Sequence, residues 1–181
     1  MAASTHEERF RELILPHLNS AFNLACWLTR DRQDAQDVVQ EAMRRAFQFF
    51  AGFRGGDGRV WLLRIVRNAF YSWCQENSAQ PKAAFDEDLH SLGDIDGAWP
   101  VRVHESPEEL LMHKDCDRAV QAALAALPLE FREVVVMREL EELSYKEIAE
   151  IAGIPIGTVM SRLGRGRKLL AQRLGGAGRG E

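Results

Sequence analysis

The sequence predicts an all-α protein made of two small helical domains joined by a flexible acidic linker. Three observations carry this reading. Apolar residues recur at steps of three and four through both halves, and no segment alternates with period two for long enough to suggest a sheet. Between Gln80 and Pro107, Pro81, Gly93, Gly97, Pro100 and Pro107 interrupt regular structure. Charge is also segregated: residues 54–73 carry a net +3, residues 82–109 a net −6 and residues 144–179 a net +5. The expected domains are 1–78 and 107–175, with a linker at 79–106 and a disordered tail at 176–181.

In the first half, Ala35, Val38, Val39, Ala42, Met43, Ala46, Phe49 and Phe50 define one face of a helix. Trp61, Leu62, Ile65, Val66, Ala69, Phe70 and Trp73 repeat the pattern in the next helix. Phe53-Arg54-Gly55-Gly56-Asp57-Gly58 between them reads as a loop. In the second half, Ser106-Pro107-Glu108-Glu109 is a helix start, with a capping serine, proline at the first helical position and a capping-box glutamate. Pro128 divides that helix from another that runs from Leu129 to about Glu141.

Composition narrows the function classes. In a chain of 181 residues, 46% hydrophobic and 28% charged residues fit a globular protein and exclude disorder over the whole length. No apolar run approaches the roughly 18 residues that a membrane span needs, so no membrane insertion is expected. The polar N-terminus, MAASTHEERFRE, does not read as a secretory signal. Cys26, Cys74 and Cys116 are odd in number and widely spaced, which points to a reducing, cytoplasmic setting rather than a disulfide framework. The net charge of −4 argues against nucleic-acid binding only as an average, because the two basic segments are local. The acidic segment between them is expected to fold back on both as a competing polyanion.

The most specific pattern spans 143–174. Ser144 and Glu147 form a capping box, and Ile148, Ala149 and Ala152 give a short helix its apolar stripe. Gly153 sits where a tight turn needs positive φ. Pro155 and Thr158 open a second helix with Val159, Leu163 and Leu170 facing inward and Ser161, Arg162, Arg165 and Lys168 on the outer side. A short helix, a glycine turn and a basic second helix make a DNA-reading helix-turn-helix. In the first half, Asp34, Asp37, Glu41 and Arg44 or Arg45 share a polar helix face. The run from Val60 to Trp73 mixes aromatic and basic groups, which suits single-stranded DNA, although most of those aromatics are expected in the core.

Together these stretches resemble a known family. Asp34-Ala35-Gln36-Asp37-Val38-Val39-Gln40-Glu41-Ala42 is similar to region 2.2 of bacterial sigma factors, and Trp61-Leu62-x-x-Ile65-x-Arg67-Asn68 is similar to their regions 2.3–2.4. Ala126-Leu127-Pro128 with Phe131-Arg132-Glu133-Val134 resembles region 4.1, and 143–170 resembles region 4.2. The order of the motifs, without regions 1.1 and 3, matches the extracytoplasmic-function (ECF, group IV) branch of the sigma-70 family over about 140 residues.

The resemblance implies a sigma factor that binds core RNA polymerase and directs promoter-specific initiation in a stress or envelope response, with no cofactor and no chemistry of its own. It implies contact with the largest-subunit clamp helices through Asp34, Asp37, Gln40, Glu41 and Arg44. It implies capture of the minus-ten element by Arg54, Arg59, Trp61, Arg64, Arg67 and Asn68. Reading of the minus-thirty-five element falls to Thr158, Ser161, Arg162, Arg165, Arg167 and Lys168. It also implies contact with the second-largest-subunit flap and control by an anti-sigma factor. Met160 and Gly164 depart from the basic and bulky residues that many relatives carry there. Gly164 and Gly166 each cost the helix about 1 kcal/mol against alanine.

Two other readings compete. A one-component regulator would pair the helix-turn-helix with an N-terminal sensor domain, but it gives no reason for the acidic-faced helix or the Trp61–Asn68 run. An enzyme would need a catalytic site, and no cysteine has a local partner base. His113 and Cys116, one helical turn apart, could ligate a metal only with two further groups.

Overall fold

The computed structural model describes residues 2–77 and 118–176, and every regular element among them is helical. The first half contains α1 (Ala2–Leu13), α2 (Leu18–Thr29), α3 (Arg32–Phe49) and α4 (Gly58–Glu76), with short 3₁₀ turns at Leu15–His17 and Phe50–Gly52. The second half contains α5, helical over 118–125, then α6 (Leu129–Glu139), α7 (Tyr145–Ala152) and α8 (Ile156–Gly176). The proposed linker, the Ser106–Glu109 helix start, His113 and Cys116 lie outside the described residues. Gly176, the first residue of the tail expected from sequence to be disordered, is instead helical, because it closes α8.

The helix ends follow local chemistry. Asp31 caps α3 by accepting from the Asp34 backbone N–H, and Asp57 caps α4 by accepting from Arg59 and Val60. Each such cap is worth about 1 kcal/mol. The Ser144–Glu147 capping box forms in both directions, and Gly153 closes α7 at φ 65°. On α3, Ala35, Ala42 and Ala46 are fully buried. With no side chain beyond Cβ, they let α2 and α4 pack close, where Leu24, Leu28, Leu62, Leu63 and Val66 fill the core. Phe50, Phe53 and Trp61 close one end of this bundle, with the Phe53 and Trp61 ring centroids 5.0 Å apart.

The two halves pack against each other, α2 against α6 and α4 against α7, and their buried side chains form one continuous cluster. This explains why α6 is buried almost all round. Its run Arg132-Glu133-Val134-Val135-Val136-Met137 is inaccessible on every side, because α7 and α8 cover one face and α2 approaches another. Backbone carbonyls secure the joint. The Arg132 guanidinium donates to Ala125 O at 2.9 Å, Leu127 O at 3.0 Å and, across the joint, Leu28 O at 3.3 Å. From the other side, Arg30 donates to Ala125 O at 3.2 Å. Burial, with the nearby Arg30 charge, pushes Arg132 down to about 10, still cationic at neutral pH.

Candidate nucleic-acid interface and docking face

The outer face of α3 carries the five residues expected to meet polymerase. Asp37, Gln40 and Arg44 are exposed, while Asp34 and Glu41 are half-buried. Arg44 grips Glu41 bidentately, with Nε and Nη2 each 2.8 Å from a carboxylate oxygen, and Arg45 adds a third bond at 2.6 Å. Hydrogen bonds from Arg44 and Arg45 hold the Glu41 carboxyl down at about 2. Partial burial, with Asp31 and Asp37 nearby, raises Asp34. Asp37, Gln40, Glu41 and Arg44 line an open groove of about 380 Å³. Gln40 joins it to a more apolar groove of about 270 Å³ lined by Leu18, Asn19, Phe22, Gln36 and Val39. Sequence reasoning missed Leu18 and Phe22. Their signal was weak: spaced four apart, they sit at the margin of the α2 face that buries Ala21, Ala25 and Leu28, so periodicity alone reads them as core.

The loop and α4 divide the minus-ten candidates. Arg54, Arg64 and Asn68 are exposed. Trp61 is half-buried against Phe53, so part of its ring belongs to the core. Arg59 and Arg67 are turned onto carboxylates of the second half. Arg59 Nη2 donates to both the backbone carbonyl and the side-chain carboxylate of Glu141, and Arg59 Nε donates to Ser20 Oγ. Arg67 Nε and Nη2 reach the two Glu133 oxygens at 2.9 and 3.1 Å, while the Arg67 guanidinium lies 4.6 Å over the Tyr71 ring. Burial opposes the Arg67 charge, but hydrogen bonding and attraction from Glu133 outweigh it and raise its pKa. Tyr71 donates its hydroxyl to Glu133 at 3.3 Å, and burial followed by the Glu133 charge pushes it up to about 12.

On α8, Ser161, Arg165 and Lys168 occupy an exposed face with Gly157, Met160 and Gly164. Thr158 is half-buried at its edge. Arg162, expected on the outer side, lies at the boundary with α6, its terminal nitrogens 3.5 Å from Glu133 and 3.7 Å from Glu130. Arg167 is exposed but paired with Glu139 at 2.6 Å. The physical cause is the same in both cases: α8 crosses α6 beside a row of α6 carboxylates. Glu133 is the functional candidate that the sequence hid, because a single glutamate before a valine run gives no sign of the arginine 66 residues away that it will meet.

Residues 13–80 match the family described as Sigma-70 region 2, and residues 117–170 match Sigma-70 region 4. The chain is 33% identical over 163 residues to the ECF RNA polymerase sigma factor SigE of Mycolicibacterium smegmatis, covering 90% of this chain and 60% of that relative's length. It is 32% identical over 174 residues to the RNA polymerase sigma-H factor of Pseudomonas aeruginosa, covering 91% and 86%. The fold resembles that of the sigma factor RpoE of Bartonella quintana, solved in complex with the anti-sigma factor NepR, with TM-score 0.68 at 24% identity over 92% of this chain and 97% of that one. The two matched regions, in this order on an all-helical frame, place the chain in the sigma-70 family of RNA polymerase sigma factors, in its extracytoplasmic-function group.

Proposed function

We propose that the chain brings core RNA polymerase to promoters by a division of labour among three helices. The α3 face, with Asp34, Asp37, Gln40, Glu41 and Arg44, docks on the clamp helices of the largest subunit, and the Leu18/Phe22/Val39 groove extends that footprint. The loop at 54–57 and α4, through Arg54, Arg59, Trp61, Arg64, Arg67 and Asn68, take the minus-ten element and help unpair it. The α8 face enters the major groove at the minus-thirty-five element, and the second half also meets the flap of the second-largest subunit. The polymerase performs the phosphodiester chemistry; this chain, needing no cofactor, supplies address and strand opening in the cytoplasm. An anti-sigma factor is the expected inhibitor. The domains proposed to carry these tasks are 1–78 and 107–175.

The observation that carries this reading is the exposed Ser161/Arg165/Lys168 face of α8, set behind a capped helix and a left-handed glycine turn. Run-off transcription with bacterial core polymerase tests it. Transcripts that start at defined promoters only when the chain is added support it, and direct DNA binding without such transcripts favours the one-component regulator.

Asp37→Arg is expected to weaken binding to core polymerase while leaving the thermal melt unchanged, because exposed substitutions usually alter stability by less than about 0.5 kcal/mol. Glu41→Arg should weaken it too, but it also removes the partner of Arg44 and Arg45 and places three cations together. A fluorescence titration of labelled core enzyme checks both, and unchanged affinity in both would remove α3 from the polymerase contact.

Arg165→Ala should weaken binding to upstream-element duplex and lower its salt slope by about 1 if the contact is to phosphate. Asn68→Ala should leave that binding intact and reduce strand opening, read by permanganate reactivity of unpaired thymines. Normal opening by Asn68→Ala would end the role assigned to that residue.

A further inference from the structure

We propose that Glu133 and Glu141 stand in for promoter phosphates, clasping the α4 arginines so that the free protein is closed to minus-ten DNA but open to upstream duplex. The inference rests on the sigma-factor reading and adds a regulatory state to it.

Glu133 is 1% exposed and projects from α6 into the joint between the halves. It receives Arg67 through a two-bond fork and the Tyr71 hydroxyl, both from α4. Arginine binds carboxylate and phosphate with the same planar fork, so an Arg67 held in this way has no donors left in that direction for a DNA backbone. Glu141 is 5% exposed and holds Arg59 by side chain and carbonyl. Thus two α4 cations are neutralised from one surface of the second half. Arg54, Arg64 and Asn68 stay exposed but flank a face covered by α7 and met by Glu133 of α6.

The masking is one-sided. Arg162 shares Glu133, but both belong to the second half, so separating the halves frees Arg59 and Arg67 and not Arg162. Ser161, Arg165 and Lys168 are exposed in the closed form. Upstream duplex therefore needs no opening, whereas minus-ten DNA does. The joint is also imperfect: the buried Arg132 Nε has no hydrogen-bond partner. An unmet donor of that kind lowers the cost of separation. Core polymerase, holding the halves apart, would release the clasp. This masking comes from α6 and the turn after it and is separate from the masking expected of the acidic linker, which lies outside the described residues.

The test uses the full chain without polymerase. Fluorescence anisotropy is read with two probes from a promoter mapped by run-off transcription: a single-stranded minus-ten oligonucleotide and a duplex holding only the upstream element. Glu133→Gln/Glu141→Gln should bind the single strand at least about tenfold tighter than the native chain and the duplex within about twofold. Glu142→Gln/Glu150→Gln removes the same charge from exposed positions and should change neither by more than twofold. Unchanged single-strand affinity, or an equal gain on both probes, overturns the clasp. If circular dichroism shows that the double variant has lost its helices, Glu141→Gln alone is read, with a gain of about threefold expected and no gain overturning the proposal. Failure of the sigma-factor reading would appear separately, as native chain that gives no promoter-dependent transcripts with polymerase.

Discussion

Gly58→Ala is expected to destabilise the protein by about 2–3 kcal/mol, the cost of forcing atoms into a well-packed contact. A Cβ at this position would lie 2.3 Å from the Leu13 carbonyl oxygen and 3.4 Å from Ile14 Cδ1. The oxygen is backbone and Ile14 is fully buried, so neither can rotate away. Alanine adds helix propensity worth about 1 kcal/mol, which does not offset the clash. The chain must instead lift the start of α4 from the end of α1. That start is where Asp57 caps the helix and where the loop bearing Arg54 is fixed. The thermal midpoint should fall by about 5–10 °C, given the 2–4 °C per kcal/mol usual at this chain length. Strand opening should fall with it. A variant that melts with the native protein would mean that α1 and α4 do not approach as described.

Gly166→Val should cost about 3 kcal/mol or more, by the same overpacking argument at the crossing of α6 and α8. Even a Cβ there would meet Val135 Cγ2 at 2.7 Å and Phe131 Cβ at 3.4 Å. Val135 is 1% exposed and branched at Cβ, so it has no free rotamer to adopt. Gly164, two residues earlier, points into open space, and Gly164→Ala should stabilise the helix by about 1 kcal/mol. Urea denaturation of the two variants should therefore give shifts of opposite sign. The same sign for both would show that the helices are not in close contact at Gly166. Sequence alone treats these glycines alike, as two weak points in one helix. Tertiary contact separates them, because only Gly166 lies where two helix backbones approach.

The family was legible because its marks are local. A capping box needs Ser144 and Glu147 three residues apart, and a helix stop needs Gly153 next to the last turn. An amphipathic face needs only steps of three and four, as in Ala35, Val38, Ala42 and Ala46. Asp37, Arg44, Ser161, Arg165 and Lys168 were legible for the same reason, since each lies opposite such a face, whereas Gln40, Arg64 and Asn68 came from the resemblance to the family.

What the sequence by itself determined, then, is that α3, α4, α6, α7 and α8 form and which side of α3, α4, α7 and α8 is apolar; α1 and α2 were not read from it. Only the tertiary structure decided what covers those sides. Periodicity states that a face must be buried but does not name the helix that buries it. Thus α6 read as an ordinary helix, although its charged and valine-rich run is enclosed from two directions. The pairing of Arg67 with Glu133 and of Arg59 with Glu141 joins residues 66 and 82 positions apart. Such pairs form only where the two halves pack together, and a charge has no sequence-local feature that selects its distant partner. The same separation hid the Leu18/Phe22/Val39 groove, which exists only because α2 and α3 lie side by side.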